Sequence, residues 1–145
     1  MPDEVDQLCA KLKNVTVEPY GGVEYHRGTL AGKQVVVCCA GMGKANAAAT
    51  TQVLITRYGA EKIIFSGIAG NLNTNLHIND VVLGGTLRYL DTDMRLVGQF
   101  KPGTADRPIE EYHSDDRLLE LADQALNDLN IHHIVGIIAL SLIHI

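Results

Sequence analysis

The sequence has no apolar run approaching the roughly 18 residues that a membrane-spanning helix needs. Its first residues lack the pattern of a secretory signal peptide. Three cysteines in 145 residues argue against a disulfide framework, and two of them, Cys38 and Cys39, are neighbours in an apparent strand, where they point to opposite faces. These absences predict a protein of the reducing cytoplasm that has no membrane partner.

Basic residues and recognisable metal or nucleophile motifs are also scarce. The chain has 12 Lys and Arg against 17 Asp and Glu, which gives a formal charge of −5. This charge argues against a nucleic-acid-binding surface, which needs clustered cations. The six histidines show no metal-ligand spacing, and no G-x-S-x-G segment is present. We therefore expect no metal, no cofactor, no nucleic-acid partner and no nucleophilic Ser or Cys.

The order of apolar patterns predicts an α/β fold with a mixed β-sheet flanked by helices. A strand, a helix ending at Gly59 and a second strand over Lys62–Phe65 predict a right-handed parallel crossover. Ser114 is the expected cap of a later helix. The other expected elements are a helix from Pro2, strands over 21–30, 34–40, 81–85 and 134–139, and an irregular loop over 101–113.

Two glycine-bracketed turns follow strand-like runs, where small residues let a ligand approach the backbone. Gly41-Met42-Gly43 precedes the long helix, and Gly67 to Gly70 follows Phe65. The first is neither a Walker loop nor a dinucleotide fingerprint. From spacing alone, both are also consistent with ordinary tight turns. By the same reasoning, Glu4 is more consistent with an acid that only complements a helix dipole.

Four blocks in order resemble the nucleoside phosphorylase and nucleosidase family, and within it the 5′-methylthioadenosine/S-adenosylhomocysteine nucleosidases. They are Gly41-Met42-Gly43-Lys44-Ala45-Asn46-Ala47-Ala48, Ser66-Gly67-Ile68-Ala69-Gly70, Asn79-Asp80-Val81-Val82 and Arg88-Tyr89-Leu90-Asp91-Thr92-Asp93. The resemblance implies a nucleoside phosphorylase-like fold, a homodimer, and metal-free hydrolysis of the N-glycosidic bond that releases adenine.

The resemblance also implies roles for individual residues. Glu4 matches the acid that orients and deprotonates the attacking water, and Met42 matches a residue that packs against the nucleoside. The turn that lines the purine and ribose is matched by Ile68, Ala69 and Gly70.

Two further positions concern the neighbouring subunit. Met94 and Val97 match residues that reach into the partner's pocket and contact the alkylthio group. The implied substrate is a thionucleoside, either methylthioadenosine or S-adenosylhomocysteine, as in methionine salvage.

Two alternatives stay open. Phosphorylases of the family hold phosphate with an arginine near the glycine turn, but Ile63 to Leu72 contains no Arg or Lys, which favours water as the nucleophile. Ile68 stands where a serine or threonine is frequent in this turn. The other alternative is a non-catalytic nucleoside-binding module.

The resemblance covers residues 1–139, interpreted as a partial nucleosidase domain, and we interpret residues 140–145 as a tail outside the family. The family's first strand, its ribose-gripping segment and its purine-protonating aspartate have no counterpart in this chain. The fold is therefore expected to be incomplete, and the 145-residue chain made alone is expected to have little activity.

Overall fold

The computed structural model describes residues 3–89 and 111–140, and for residues 3 and 4 the backbone alone. The chain divides into two compact units, Met1–Gly70 and Asn71–Ile145. Each unit contains a three-stranded sheet. Within the described ranges, no helix is long and apolar enough to span a bilayer.

The first unit is an antiparallel meander with two helices. Its elements are α1 (Asp3–Lys11), β1 (Lys13–Tyr20), β2 (Val23–Leu30), β3 (Lys33–Cys38) and α2 (Lys44–Tyr58), and the strand order is β1-β2-β3. The β2–β3 hairpin turns through Ala31 and Gly32, which both have positive φ angles of 47° and 81°. This pair of angles matches the right-handed twist of the flanking strands and confirms the predicted hairpin.

The core of the first unit lies where Tyr25 of β2 meets α2, whose Thr50 is also buried. Tyr25 of β2 is only 1% exposed, and its ring lies 5.2 Å from that of Tyr58 on α2. The carboxylate of Glu18 on β1 accepts hydrogen bonds from Tyr58 Oη at 3.2 Å and Arg57 Nη2 at 3.3 Å. Gly59 ends the helix in the left-handed conformation with φ 66°, as predicted.

The second unit contains a mixed sheet. Its elements are β4 (Val81–Tyr89), β5 (Glu111–His113), α3 (Asp116–Asp128) and β6 (His133–Leu140). Strand β4 is central, antiparallel to β5 and parallel to β6. Because one pairing is parallel and the other antiparallel, and α3 packs on β4, the predicted class of a mixed sheet with flanking helices is confirmed.

Three local predictions were wrong. Lys62–Phe65 is not a strand, and so the predicted crossover is absent: no strand in the described part of the chain pairs with this segment, and the Phe65 side chain is 82% exposed. Helix α3 is capped by Asp115, whose carboxylate accepts from Leu118 N at 2.9 Å, and not by Ser114.

The third error concerns the end of the loop predicted over 101–113. Residues 111–113 form β5, which pairs with β4, while 101–110 lie outside the described residues. Arg88 of β4 forms an ion pair with Glu111 at this pairing. The division of the chain at residue 139 stays a prediction, and residues 141–145 also lie outside the described part.

Candidate nucleoside-binding site

The first candidate turn connects β3 to α2. Gly41 and Gly43 adopt φ angles of 79° and 94°, values that residues with a Cβ rarely adopt. The side-chain amide of Asn46 in the first turn of α2 donates to the carbonyl oxygen of Met42 at 2.7 Å. Two glycines therefore allow the turn, and Asn46 fixes it from within the helix.

The turn combines a helix N-terminus with an apolar side chain. Gly43 precedes α2 and has no side chain that could cap it, so the turn lies at the positive end of the helix dipole. The Met42 side chain is 85% exposed. Amide donors and an apolar side chain in one turn suit a ligand with hydroxyl groups and an apolar part.

The second candidate turn has no regular secondary structure. Residues 62–70 form neither helix nor strand, and the Ile68 side chain is 82% exposed. Gly70 has open space around the position where a Cβ would lie, and no atom is found there within 4 Å. Ile68, Ala69 and Gly70 are thus all exposed to solvent, and their predicted contact with a nucleoside stays a prediction.

Three of the predicted site residues cannot be placed by their side chains. Glu4 lies in the first turn of α1, but its side chain is outside the described residues. Met94 and Val97 fall within 90–110, which is also outside them. Their roles stay predictions, as do those of Met42, Ile68, Ala69 and Gly70, which the structure places in the two turns of the first unit.

A metal centre and a cavity outside the predicted site are the other features that could bind a ligand. No group of three or more His, Cys, Asp or Glu in residues 3–89 and 111–140 is arranged to hold a metal ion. A shallow cavity of about 320 Å³ lies elsewhere, in the second unit, between the end of α3 and the start of β6. None of the predicted site residues lines it.

One contact in the site was missed from the sequence. Asn46 was recognised only as part of a motif, whereas the structure assigns it the hydrogen bond that holds the Met42 carbonyl. The signal was present, since an Asn four residues after the turn residue lies one helical turn above it.

A sequence model described as the Phosphorylase superfamily matches residues 1–141. The chain belongs to this superfamily. Among individual proteins, it is 33% identical over 138 residues to a 5′-methylthioadenosine/S-adenosylhomocysteine nucleosidase of Halalkalibacterium halodurans. That match covers 95% of this chain and 59% of the relative. The chain thus spans about three-fifths of the length of the curated relatives it matches.

Solved structures of the superfamily share the fold. A nucleosidase of the same name from Neisseria meningitidis, in complex with methylthio-immucillin-A, superposes with a TM-score of 0.86 at 30% identity, over 97% of this chain and 61% of that one. Futalosine hydrolase of Helicobacter pylori superposes with a TM-score of 0.84 at 27% identity, over 97% of this chain and 60% of that one. The nucleoside phosphorylase-like fold and the family resemblance are confirmed.

Proposed function

We propose that this protein hydrolyses the N-glycosidic bond of methylthioadenosine or S-adenosylhomocysteine and releases adenine. The proposal rests mainly on the similarity of this chain to the Neisseria meningitidis nucleosidase in complex with methylthio-immucillin-A, at a TM-score of 0.86 and 30% identity. The two exposed glycine turns support it, because each offers backbone groups where a nucleoside would need close approach.

The chemistry assigns the proposed roles. Departure of adenine leaves a sugar that resembles an oxocarbenium ion, so the enzyme must position a water and stabilise positive charge. We assign the water to Glu4, as general base, and the nucleoside contacts to Met42 and the turn of Ile68, Ala69 and Gly70. The leaving adenine takes up a proton as its N9–C1′ bond breaks, and Glu4 then removes a proton from the water as the water oxygen bonds to C1′ of the sugar cation.

The proposed homodimer completes the site. We assign contacts with the alkylthio group to Met94 and Val97 of the adjacent subunit. Apolar side chains at these positions would disfavour a substrate with a hydroxyl in place of the thioether by roughly 1–3 kcal/mol, because the hydroxyl would lose its hydrogen-bond partners. A cytoplasmic location and a part in methionine salvage belong to the same proposal.

Water is proposed as the nucleophile instead of phosphate. Ile63 to Leu72 contains no Arg or Lys that could hold a phosphate beside the second turn. A phosphorylase remains the alternative, and futalosine is a second candidate substrate because its hydrolase is among the similar structures. The three possibilities differ in their products and in their dependence on phosphate.

The test begins with the genomic sequence on both sides of the reading frame, followed by expression of the protein that the gene encodes. Methylthioadenosine, S-adenosylhomocysteine, inosine and futalosine are then offered with and without phosphate, and the base and sugar products are identified. We expect adenine and free methylthioribose at equal rates in both buffers. Release that requires phosphate would indicate a phosphorylase, and binding without turnover would indicate the non-catalytic module.

A further inference from the structure

His133 lies where α3 connects to β6 and forms hydrogen bonds through both ring nitrogens. It is the first residue of β6, and its side chain is 8% exposed. Its Nδ1 lies 2.8 Å from the carbonyl oxygen of Ile131, and its Nε2 lies 2.9 Å from Oδ1 of Asp123 on α3. One ring therefore joins three parts of the second unit: the helix, the turn and the strand.

Both partners of this ring are acceptors. A backbone carbonyl has no proton to give, and an ionised carboxylate only accepts hydrogen bonds. A neutral imidazole has a single N–H, so it can satisfy one of the two oxygens and must direct a lone pair at the other. The observed geometry is complete only when both ring nitrogens carry a proton, that is, when His133 is an imidazolium.

The surroundings of the ring support this assignment. Asp123 is the charged side chain that acts on the ring in the described part of the unit, and its second oxygen accepts from Asn127 Nδ2 at 3.0 Å. On β4 the residue in register with His133 is Val81, which has no charge. The neighbouring carboxylate of Asp80 pairs with His132 Nδ1 at 3.0 Å instead.

We propose that His133 is a pH-sensitive clamp: as an imidazolium it holds α3, the Ile131 turn and the start of β6 together, and its deprotonation loosens this junction. The Ile131 carbonyl and then the Asp123 carboxylate raise the pKa of His133 above its ordinary value, against the opposing effect of burial. The clamp is therefore fully closed below the ordinary imidazole value of about 6.5 and opens as pH rises through the higher folded value. The proposal is independent of the catalytic function.

NMR of the histidine-labelled 145-residue chain tests the proton directly. We expect the His133 ring nitrogens to show the imidazolium pattern above the ordinary imidazole value of about 6.5, at pH values where the same ring in the urea-unfolded chain is already neutral. A neutral His133 ring at about pH 6, or titration at the same pH in the folded and the urea-unfolded chain, would overturn the proposal.

Hydrogen exchange tests the clamp, with rates normalised for the intrinsic effect of pH. The Ile131 amide, which donates to Leu126 O at 2.9 Å, should lose protection above the pH at which His133 titrates. Asp123→Asn should move both the titration and the loss of protection to lower pH. Asp128→Asn, an exposed change on the same helix, should move neither. If the protection of the Ile131 amide does not change across the pH at which His133 titrates, the clamp is contradicted, even if Asp123→Asn fails to fold.

Discussion

The most demanding prediction about the fold concerns Gly28, in the middle of β2. A Cβ at this position would lie 2.9 Å from the backbone oxygen of Lys13 and 3.3 Å from the Cβ of Leu12. The pairing of β1 with β2 is irregular between Lys13 and Thr16, and Asn14 there has a positive φ of 54°. The irregular start of β1 thus places the Lys13 carbonyl close to Gly28, and only a residue without a Cβ fits at position 28.

The magnitude follows from which atoms would have to move. Real Cβ atoms essentially never lie within 3.0 Å of another heavy atom, and here the obstacle is backbone, which cannot rotate away as a side chain would. Overpacking of this kind costs about 1–3 kcal/mol. In a domain of ordinary stability, such a loss lowers the ratio of folded to unfolded protein by a factor of about 5 or more.

Urea unfolding of Gly28→Ala, followed by circular dichroism, measures this cost, and hydrogen exchange of the β1 amides locates it. The matched control is Gly70→Ala, because a Cβ on Gly70 would meet nothing within 4 Å. We expect Gly28→Ala to lower the unfolding midpoint and expose β1, and Gly70→Ala to change the stability by less than about 0.5 kcal/mol. Equal midpoints for the two variants would refute the packing described for β1 and β2.

Two further predictions concern ligand binding and pH. Met42→Ala should leave unfolding unchanged because the side chain is 85% exposed. It should weaken calorimetric thionucleoside binding by about 10- to 150-fold, since burial of a Met side chain contributes roughly 1.5–3 kcal/mol. The control Ile78→Ala, 92% exposed and outside the proposed site, should leave the affinity unchanged. The pKa of Asp80 is lowered, first by the His77 amide and then by His132. Its stabilisation is therefore present above the ordinary aspartate value of about 3.9 and lost as pH falls through the lower folded value. Urea midpoints of Asp80→Asn should accordingly fall less steeply with acid than those of the parent chain, and parallel acid limbs would contradict this.

The sequence predicted those elements whose signals are local. The hairpin at Ala31-Gly32 and the end of α2 at Gly59 were found because glycine-containing turns have characteristic backbone angles. Strand β1 was missed because Pro19 and Glu18 weaken the strand pattern. Its position at the edge of the sheet explains why a proline is tolerated there.

Other errors came from signals that depend on partners. Lys62–Phe65 has the composition of a buried strand, but a strand exists only where another strand receives its hydrogen bonds, and no described strand does so. At α3, Ser114 and Asp115 are both good caps by type. Asp115 caps the helix because the Ser114 hydroxyl donates to Gly84 O at 2.6 Å, a tertiary contact that propensity does not encode.

The site was predicted by resemblance more than by local pattern. Glycine turns at Gly41–Gly43 and Gly67–Gly70 indicated where a ligand could approach, and the structure places both turns in accessible positions. Spacing alone did not distinguish them from ordinary turns, because a glycine has no side chain to indicate what it contacts. The proposed ligand rests on the order of four motifs and on the similarity to named nucleosidases.

The measurement that tests the central claim most directly is identification of the sugar product from methylthioadenosine in phosphate buffer. The assay uses the protein encoded by the complete gene, with Glu4→Gln as the comparison. We predict adenine with free methylthioribose, and a large loss of rate in Glu4→Gln without loss of substrate binding. Formation of methylthioribose 1-phosphate, or no release of adenine at all, would contradict the proposal that this member of the superfamily is a hydrolytic nucleosidase.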